Sequence, residues 1–327
     1  MTLRMNSSPS QKVTLLVLGA GWTWQFLQPQ LKQADITHAA TTTTGREGTI
    51  QFKFDGETAD PEQFRKLPTA RYVLVTFPLR GRGLSSKLQQ LYSETHPPSR
   101  PGEQQQQQQQ QQHALTKWIQ LGSTGIYTGQ DWNDSSSPVD TSNERCVAED
   151  ELIELGGCVL NLSGLYGGGR DPRNWVGRVA QTKDALSRKG ALHLIHGQDV
   201  SRGIVALVKA DTDMDTSNDD DDDSSSSSST TTTTTRLFGR RWIVTDCCVY
   251  DWWGLVWEFM GDPSRESAPA NVENAVEKAK YRRWLAELMD ENKLNALPRP
   301  TSQLGKKLDS RDFWKAVGIL PEKALAR

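Results

Sequence analysis

Cysteine is scarce in this chain of 327 residues, which has only Cys146, Cys158, Cys247 and Cys248. Their spacing fits neither a disulfide framework nor the paired ligands of a zinc site. We therefore expect no bound metal, and we interpret the adjacent Cys247 and Cys248, in a strand-like run, as reduced packing residues. This cysteine usage favours a reducing compartment, and we expect a cytoplasmic protein.

Long apolar runs and net charge are also lacking. No run approaches the roughly 18 residues that a membrane span needs. The formal net charge is −2, and no basic stripe interleaved with aromatic residues occurs. We therefore expect neither a membrane nor a nucleic acid as partner, but a small-molecule substrate, and the oligomeric state stays open. The first twelve residues have no apolar core of a signal peptide, and the remnant of a transit peptide is the alternative.

Several catalytic signatures are missing as well. The sequence contains no GxSxG elbow, no HExxH pair and no P-loop lysine, so hydrolase, metalloprotease and NTPase interpretations have no starting residue.

Two low-complexity segments divide the chain. Residues 95–112 include nine consecutive glutamines, and residues 211–235 consist largely of Asp, Ser and Thr. Neither segment can form a core, so we expect a solvated insertion and a linker. The predicted domains are residues 12–210 and a smaller C-terminal part, residues 236–327. Six of the eleven tryptophans lie in that C-terminal part, and this clustering is typical of core packing.

The stretch Val13–Trp24 organises the first domain. An apolar strand, Val13–Leu18, leads into Gly19-Ala20-Gly21 and then into a segment with helical periodicity. This order is typical of a dinucleotide-binding βαβ unit, in which glycines let the backbone approach a pyrophosphate at a helix N-terminus. Trp24 stands where a third glycine is usual, so an ordinary strand–helix turn is the alternative. Further alternating strands and helices predict an α/β protein with a doubly wound parallel sheet.

The end of the second predicted strand bears on the choice of cofactor. A protein that selects NAD places a carboxylate about 20 residues after the first glycine. Residues 39–46 have threonines and Arg46 instead. A guanidinium suits the 2′-phosphate of NADP, so we predict NADP, with NAD as a possible alternative. A polar loop with a solvated Arg46 is the other interpretation.

Five motifs occur in one order along residues 12–210: VLGAGWTW, VTFP, LGSTGIYTG, LNLSGLYGGGR and LIHGQDVSRGI. With them the chain resembles the extended short-chain dehydrogenases/reductases of the NAD-dependent epimerase/dehydratase type, as an atypical branch. The resemblance implies a Rossmann fold with a smaller, helical, Trp-rich C-terminal part.

The resemblance also implies roles for particular residues. At the cofactor we expect ten of them, namely Gly19, Gly21, Trp22, Thr42, Arg46, Asp55, Thr76, Phe77, Pro78 and Tyr166. Of these, Gly19, Gly21 and Trp22 are expected at the diphosphate. Thr42 and Arg46 are expected at the adenosine ribose.

The remaining expected positions follow the cofactor towards the substrate. Asp55 is expected near the adenine, and Thr76, Phe77 and Pro78 beneath the cofactor. Tyr166 is expected near the nicotinamide, with Leu165 and Gly167. For the chemistry the resemblance implies Ser123 or Thr124 as the catalytic hydroxyl and Tyr127 at the substrate lip.

One departure from the family is serious. These enzymes pair a Tyr with a Lys one helical turn later, which lowers the phenol pKa for proton transfer. None of the six tyrosines here has a lysine four residues on. In the corresponding helix Arg145 and Glu149 take the approximate places, and we interpret them as a surface ion pair.

Two functions therefore remain open. The first is an NADP(H)-dependent oxidoreductase or epimerase-like enzyme, in which Tyr127 or Tyr166 substitutes as the acid. The second is a non-catalytic sensor or scaffold that binds the dinucleotide.

Overall fold

A computed structural model describes residues 12–57, 60–97, 116–217, 236–261 and 272–326. Most of the predicted insertion and linker, residues 98–115 and 218–235, lies outside the described residues. The strands are β1 (Lys12–Leu18), β2 (His38–Thr42), β3 (Ile50–Gln51), β4 (Thr69–Val75), β5 (Lys117–Ser123), β6 (Trp132–Asn133), β7 (Cys158–Leu162), β8 (Gly164–Tyr166), β9 (Ala191–Leu192), β10 (Leu194–His196), β11 (Arg240–Val244), β12 (Tyr250–Asp251) and β13 (Lys307–Leu308).

Helices connect most of the strands. They are α1 (Trp24–Gln33), α2 (Pro61–Arg65), α3 (Leu84–Thr95), α4 (Glu144–Glu154), α5 (Val176–Val179), α6 (Lys183–Ser187), α7 (Gly197–Ser217), α8 (Trp252–Phe259), α9 (Val272–Glu291) and α10 (Arg311–Ala316). Single 3₁₀ turns cover Thr124–Ile126, Pro172–Trp175 and Thr301–Gln303.

Seven parallel strands form the central sheet in the order β11-β7-β5-β4-β1-β2-β3. The progression along the chain reverses between β1 and β4, which is the switch point where open α/β sheets bind ligands. The predicted doubly wound parallel sheet is therefore confirmed.

Strand β1 shows why its sequence is apolar at nearly every position. Leu15 and Val17 face a core cluster shared with α1, α7 and α10, whereas Leu16 and Leu18 face a second cluster shared with α2, α3 and α4. A strand covered by helices on both faces has no solvent side, so it needs apolar residues in both registers.

A third core cluster joins the C-terminal part to the segment before it. Trp252, Trp253 and Tyr281 are buried there with residues of α5, α6 and α9. Trp242 and Trp314 are also buried, whereas Trp257 is exposed. The clustered tryptophans thus serve mostly as core, as the sequence predicted.

The predicted second strand, Ile36–Thr42, begins later than expected. Asp35 has a left-handed backbone (φ 54°), and the Ile36 N–H donates to the Leu31 carbonyl at 2.9 Å. Ile36 therefore closes the end of α1, as in a Schellman-type cap, and β2 starts at His38. The predicted third strand, Thr49–Phe54, is reduced to β3.

The central sheet draws on both sides of the predicted linker, residues 211–235. Helix α7 continues past residue 210 to Ser217, and β11 comes from the predicted C-terminal part. Strand β11 pairs with β7 along Arg240–Val244 and is the edge strand of the central sheet. The sheet thus includes residues from both predicted domains.

Asp199 lies in the first turn of α7, which begins at Gly197. Its buried carboxylate accepts the backbone N–H groups of Glu322 (3.0 Å) and Lys323 (2.7 Å) and pairs with Arg202. Asp199 therefore anchors the C-terminal segment.

A second anchor of this segment contains a titrating carboxyl. The Tyr250 hydroxyl accepts the Leu325 N–H at 2.9 Å and donates to Asp246 at 2.7 Å. The pKa of the Asp246 carboxyl is raised to about 6, mainly by burial and to a smaller extent by the nearby charge of Asp199.

We predict that Asp246 makes folding pH-dependent. Because its pKa is higher in the folded than in the unfolded chain, its contribution to stability is present at low pH and is lost as pH rises through 6. Asp246→Asn mimics the protonated form. The free energy of unfolding of the native chain minus that of Asp246→Asn should fall by about 2 kcal/mol between roughly pH 4 and pH 7.

Chemical denaturation across this pH range measures that difference. The exposed Asp290 on α9 offers a control, since Asp290→Asn should show no comparable pH-dependent difference. A difference for Asp246→Asn that stays constant with pH would contradict the prediction.

Candidate functional site

Gly19 ends β1 in a position that only glycine fits. Its φ is +93°, and an added Cβ would lie 2.7 Å from Thr76 Oγ1. The Thr76 hydroxyl donates to the Gly19 carbonyl at 2.5 Å, and the Gly19 N–H donates to Thr41 Oγ1 at 3.0 Å. Two threonines, from the ends of β2 and β4, therefore hold the turn from both sides. The sequence placed Thr76 beneath the cofactor and did not single out Thr41.

The turn leaves donors free at the start of α1. Among the described residues, the N–H groups of Trp22 and Thr23 have no acceptor, and the Thr23 side chain makes no capping hydrogen bond. The first turn of α1 contains no acidic residue. An added Cβ on Gly21 would meet nothing closer than the Gly19 carbonyl at 3.9 Å. Open space therefore adjoins two free donors at a helix N-terminus, an arrangement that suits an anion.

A glycine-rich loop lies against this turn. Trp22 Nε1 donates to the Gly167 carbonyl at 3.0 Å, and the Arg170 guanidinium lies 4.3 Å from the centre of the Trp22 ring. Gly167 and Arg170 exchange backbone hydrogen bonds of 2.8 and 3.0 Å. Arg170 thus places a cation beside the turn at Gly19–Gly21, and the sequence did not assign it a role.

Aromatic rings join α1 to β10 and β8. Trp22 contacts Phe26 at 5.1 Å between ring centres, Phe26 contacts His196 at 5.3 Å, and His196 contacts Tyr166 at 5.0 Å. An added Cβ on Gly167 would lie 2.2 Å from His196 Nε2, so the loop also packs directly on this ring. His196 ends β10, as predicted, and its Nδ1 accepts the Gln198 N–H. The turn and the loop therefore form one packed unit.

Trp24 stands at the place of the missing third glycine. It is the first residue of α1, and its half-buried ring contacts His38 on β2 at 5.7 Å. The ring thus fills the space beside β2, and the turn before it keeps its free donors.

At the expected ribose end, Thr42 has a structural task. Its Oγ1 accepts the N–H groups of Gly45 (2.9 Å) and Arg46 (3.2 Å) and bonds the Thr49 hydroxyl at 2.8 Å. The Thr42 hydroxyl therefore shapes the loop that exposes the Arg46 side chain. Arg46 lies beyond the carboxyl end of β2, where an adenosine ribose is expected.

The segment after β4 lies at the carboxyl edge of the sheet, beside the glycine turn. Phe77 is half-buried and stacks on Phe54 at 6.3 Å, and Pro78 is exposed. Asp55 is exposed next to Phe54, and its Oδ1 accepts the Glu57 N–H at 3.0 Å. These residues border the same edge of the sheet as the turn.

Ser123 and Thr124 lie at the carboxyl end of β5. Ser123 Oγ accepts the Gly125 N–H at 3.2 Å, and Thr124 Oγ1 lies 3.4 Å from the Leu162 carbonyl. Both residues are half-buried, at the same edge of the sheet as the glycine turn.

Glu149 is not part of a surface ion pair, contrary to the sequence interpretation. It is fully buried, its carboxylate accepts Asn161 Nδ2 at 2.7 Å and the Ser123 N–H at 3.3 Å, and burial raises its pKa. An added Cβ on Gly122 would lie 2.5 Å from its Oε1. Glu149 therefore fastens α4 to the ends of β5 and β7.

Tyr127 and Tyr166, which the resemblance places near the substrate and the nicotinamide, are both buried. Tyr127 is 3% exposed, and its hydroxyl lies 3.4 Å from Asn161 Oδ1. Tyr166 is 7% exposed, and its hydroxyl has no hydrogen-bond partner among the described residues. Burial raises the pKa of both phenols. All six tyrosines of the chain are buried.

Lys306 is a residue that the sequence did not single out. It comes from the C-terminal part, just before β13, and reaches the turn after β5. Its Nζ donates to the carbonyls of Tyr127 (2.5 Å) and Thr124 (3.4 Å). No local motif marks this lysine, because its position depends on the pairing of β13 with β6.

Metal ligands and membrane-spanning helices can be sought only in the residues that the structure describes. Within those ranges, no group of three or more His, Cys, Asp or Glu side chains is placed to hold a metal ion. No helix there is long and apolar enough to cross a membrane. The cysteines are free thiols, but Cys247 is exposed and follows β11, so it is not a packing residue.

Comparisons with known proteins support the fold. No protein-family model and no curated protein sequence matches the chain. Among solved structures, it is similar to a Methylobacillus flagellatus protein assigned to the NAD-dependent epimerases/dehydratases (14% identity, TM-score 0.50, 93% of this chain and 91% of the other).

Two further structures show the same similarity. The yeast methylglyoxal/isovaleraldehyde reductase in complex with NADPH gives 11% identity, a TM-score of 0.50, and coverage of 95% of this chain and 94% of the other. An Agrobacterium tumefaciens protein of the short-chain dehydrogenase/reductase superfamily, with bound NAD, gives 9% identity, a TM-score of 0.51, and coverage of 95% and 93%. The resemblance drawn from the sequence is thus confirmed at the level of the fold: this chain has a Rossmann fold similar to that of these NAD-dependent epimerase/dehydratase and short-chain dehydrogenase/reductase structures.

Proposed function

We propose that the protein binds NADP(H) and acts as an oxidoreductase or epimerase-like enzyme on a small molecule. The observation that carries the proposal is the pair of unpaired N–H groups of Trp22 and Thr23 beside the open face of Gly21. Structural neighbours that hold NADPH or NAD support a nicotinamide cofactor without deciding between the two.

In this proposal the chain holds the dinucleotide along the carboxyl edge of the sheet. The N–H groups of Trp22 and Thr23 donate to the diphosphate, with the positive end of α1 behind them. The Arg170 guanidinium, fixed on Trp22, adds a positive charge on the solvent side. Phe77 supports the cofactor from below.

The substrate end lies between β5 and the C-terminal part. A bound nicotinamide supplies or accepts the hydride. Ser123 or Thr124 provides the hydroxyl that hydrogen-bonds the reacting carbonyl or alcohol, and Glu149 keeps the end of β5 in place. All six tyrosines are buried, so the proposal assigns the proton transfer to this hydroxyl and not to a phenol.

We predict that Gly21→Val weakens dinucleotide binding without unfolding the protein. The new side chain fills the open space where the diphosphate lies and blocks the donors of Trp22 and Thr23. Loss of hydrogen bonds to a charged group weakens binding by about tenfold or more. Isothermal titration calorimetry with NADP+ measures the effect.

Two glycines provide controls. Gly177→Ala adds a Cβ in open space on α5 and should leave affinity unchanged, with the melting temperature unchanged or slightly raised. Gly19→Ala should instead lower stability by about 1–3 kcal/mol, because it combines a left-handed backbone with a clash at Thr76. Native affinity in Gly21→Val would contradict the proposed site.

We predict that Arg46 sets the preference for NADP. Its exposed side chain, held beyond β2 by the Thr42 loop, is placed to pair with a 2′-phosphate. Arg46→Ala should weaken NADP+ binding about tenfold and leave NAD+ binding nearly unchanged. Arg178→Ala, on the exposed face of α5, is the matched control. An equal loss for both cofactors would argue against a 2′-phosphate contact.

A non-catalytic sensor or scaffold is the second candidate function. The observation that favours it is the burial of all six tyrosines, together with Glu149 in the helix where a catalytic pair is expected. Incubation of the chain with deuterated NADPH and a panel of aldehydes, ketones and nucleotide sugars separates the two. Deuterium transfer that is lost in Thr124→Val supports the enzyme, whereas cofactor binding without transfer to any compound supports the sensor.

A further inference from the structure

Lys306 carries a positive charge without a counterion at the substrate end of the cleft. Lys306 is half-buried, and no carboxylate among the described residues lies within 4.0 Å of its Nζ. Other buried or half-buried cations, such as Lys117, Arg299 and Lys307, do form ion pairs. Lysine is rarely buried unless it is paired. Burial also lowers the pKa of the Lys306 ammonium, and no neighbouring carboxylate opposes this effect.

The hydrogen bonds of Lys306 leave one donor over. An ammonium has three N–H groups, and the carbonyls of Tyr127 and Thr124 accept two of them. The third has no acceptor among the described residues. The two carbonyls hold the ammonium against the backbone of Thr124, one of the two candidates for the catalytic hydroxyl.

The other titratable groups near Lys306 do not neutralise it. His193 faces Lys306 and Lys307 from the connection between β9 and β10, and burial lowers the pKa of His193 to about 4, so it is neutral at pH 7. Lys307 is buried and pairs with Asp131, which leaves that carboxylate engaged. The local charge is therefore positive.

We propose that Lys306 is the oxyanion-binding residue of the substrate pocket, so that the substrate carries a carboxylate or phosphate group close to its reacting carbon. This inference rests on the proposed function, because it takes the turn after β5 as the substrate end. An anion there receives a charge-assisted hydrogen bond from the ammonium and restores charge balance. The C-terminal part thereby selects acidic substrates over neutral ones.

Calorimetric titration of inorganic phosphate and of malonate into the full chain tests the proposal. The experiment is run with saturating NADP+, so that the free donors of Trp22 and Thr23 are already occupied, and at constant ionic strength. Lys306→Met should weaken binding of the probe anions by about tenfold or more, and Lys306→Arg should retain most of it. Lys209→Met, an exposed lysine on α7, is the control and should bind like the native chain.

The pH dependence gives an independent readout. Anion binding to the native chain should weaken as pH rises through the pKa of Lys306, and this decline should be absent from the residual binding of Lys306→Met. Equal anion binding by the native chain and Lys306→Met, or none by the native chain, overturns the inference even when NADP+ binds. If neither NADP+ nor NAD+ binds while Lys306-dependent anion binding persists, the proposed function fails and the oxyanion site stands.

Discussion

The hydrogen bonds that hold Gly19 between Thr41 and Thr76 are the constraint on which the rest of the site depends. They join the ends of β1, β2 and β4, the three strands around the switch point of the sheet. The left-handed backbone of Gly19 turns the chain sharply, so that α1 starts with its N–H groups directed to the carboxyl edge. A side chain at this position would separate the strands or redirect the helix. The hydrogen bonds of Gly19 with Thr41 and Thr76 therefore determine where the free N–H groups of Trp22 and Thr23 lie.

In helix α4, Glu149 has a structural role at a position where the family that the chain resembles has a catalytic residue. In the family that the chain resembles, this helix carries a tyrosine and a lysine that face the substrate. Here Glu149 points inward and accepts hydrogen bonds from Asn161 and the Ser123 backbone. Burying a carboxylate is costly unless it is hydrogen-bonded, so the network of Glu149 and Asn161 fixes α4 against the sheet. Groups that act on a substrate must then come from β5 and from the C-terminal part.

Local patterns predicted some of these features and not others. The strand–turn–helix at Gly19 could be predicted because adjacent residues determine it, and the parallel sheet followed from apolar strands that alternate with helices. The burial of Tyr127 and Tyr166 could not be predicted, since it depends on side chains far away in the sequence. Lys306 and Arg170 were missed for the same reason: each reaches its place through contacts that span more than 140 residues. The pairing of β11 with β7 could not be predicted either, because the low-complexity segment before β11 carries no signal of where the chain goes next.

A series of packed contacts connects the C-terminal segment to the turn at the start of α1. The C-terminal segment is anchored to Asp199 on α7, and α7 begins directly after His196. His196 in turn packs on Phe26 of α1 and on Gly167, whose carbonyl accepts the indole N–H of Trp22. These contacts are aromatic and glycine-lined, so α1, the loop at Arg170 and β10 form one packed unit. In the proposed function, a dinucleotide bound at the turn of Trp22 would therefore contact the same unit that holds the loop at Arg170.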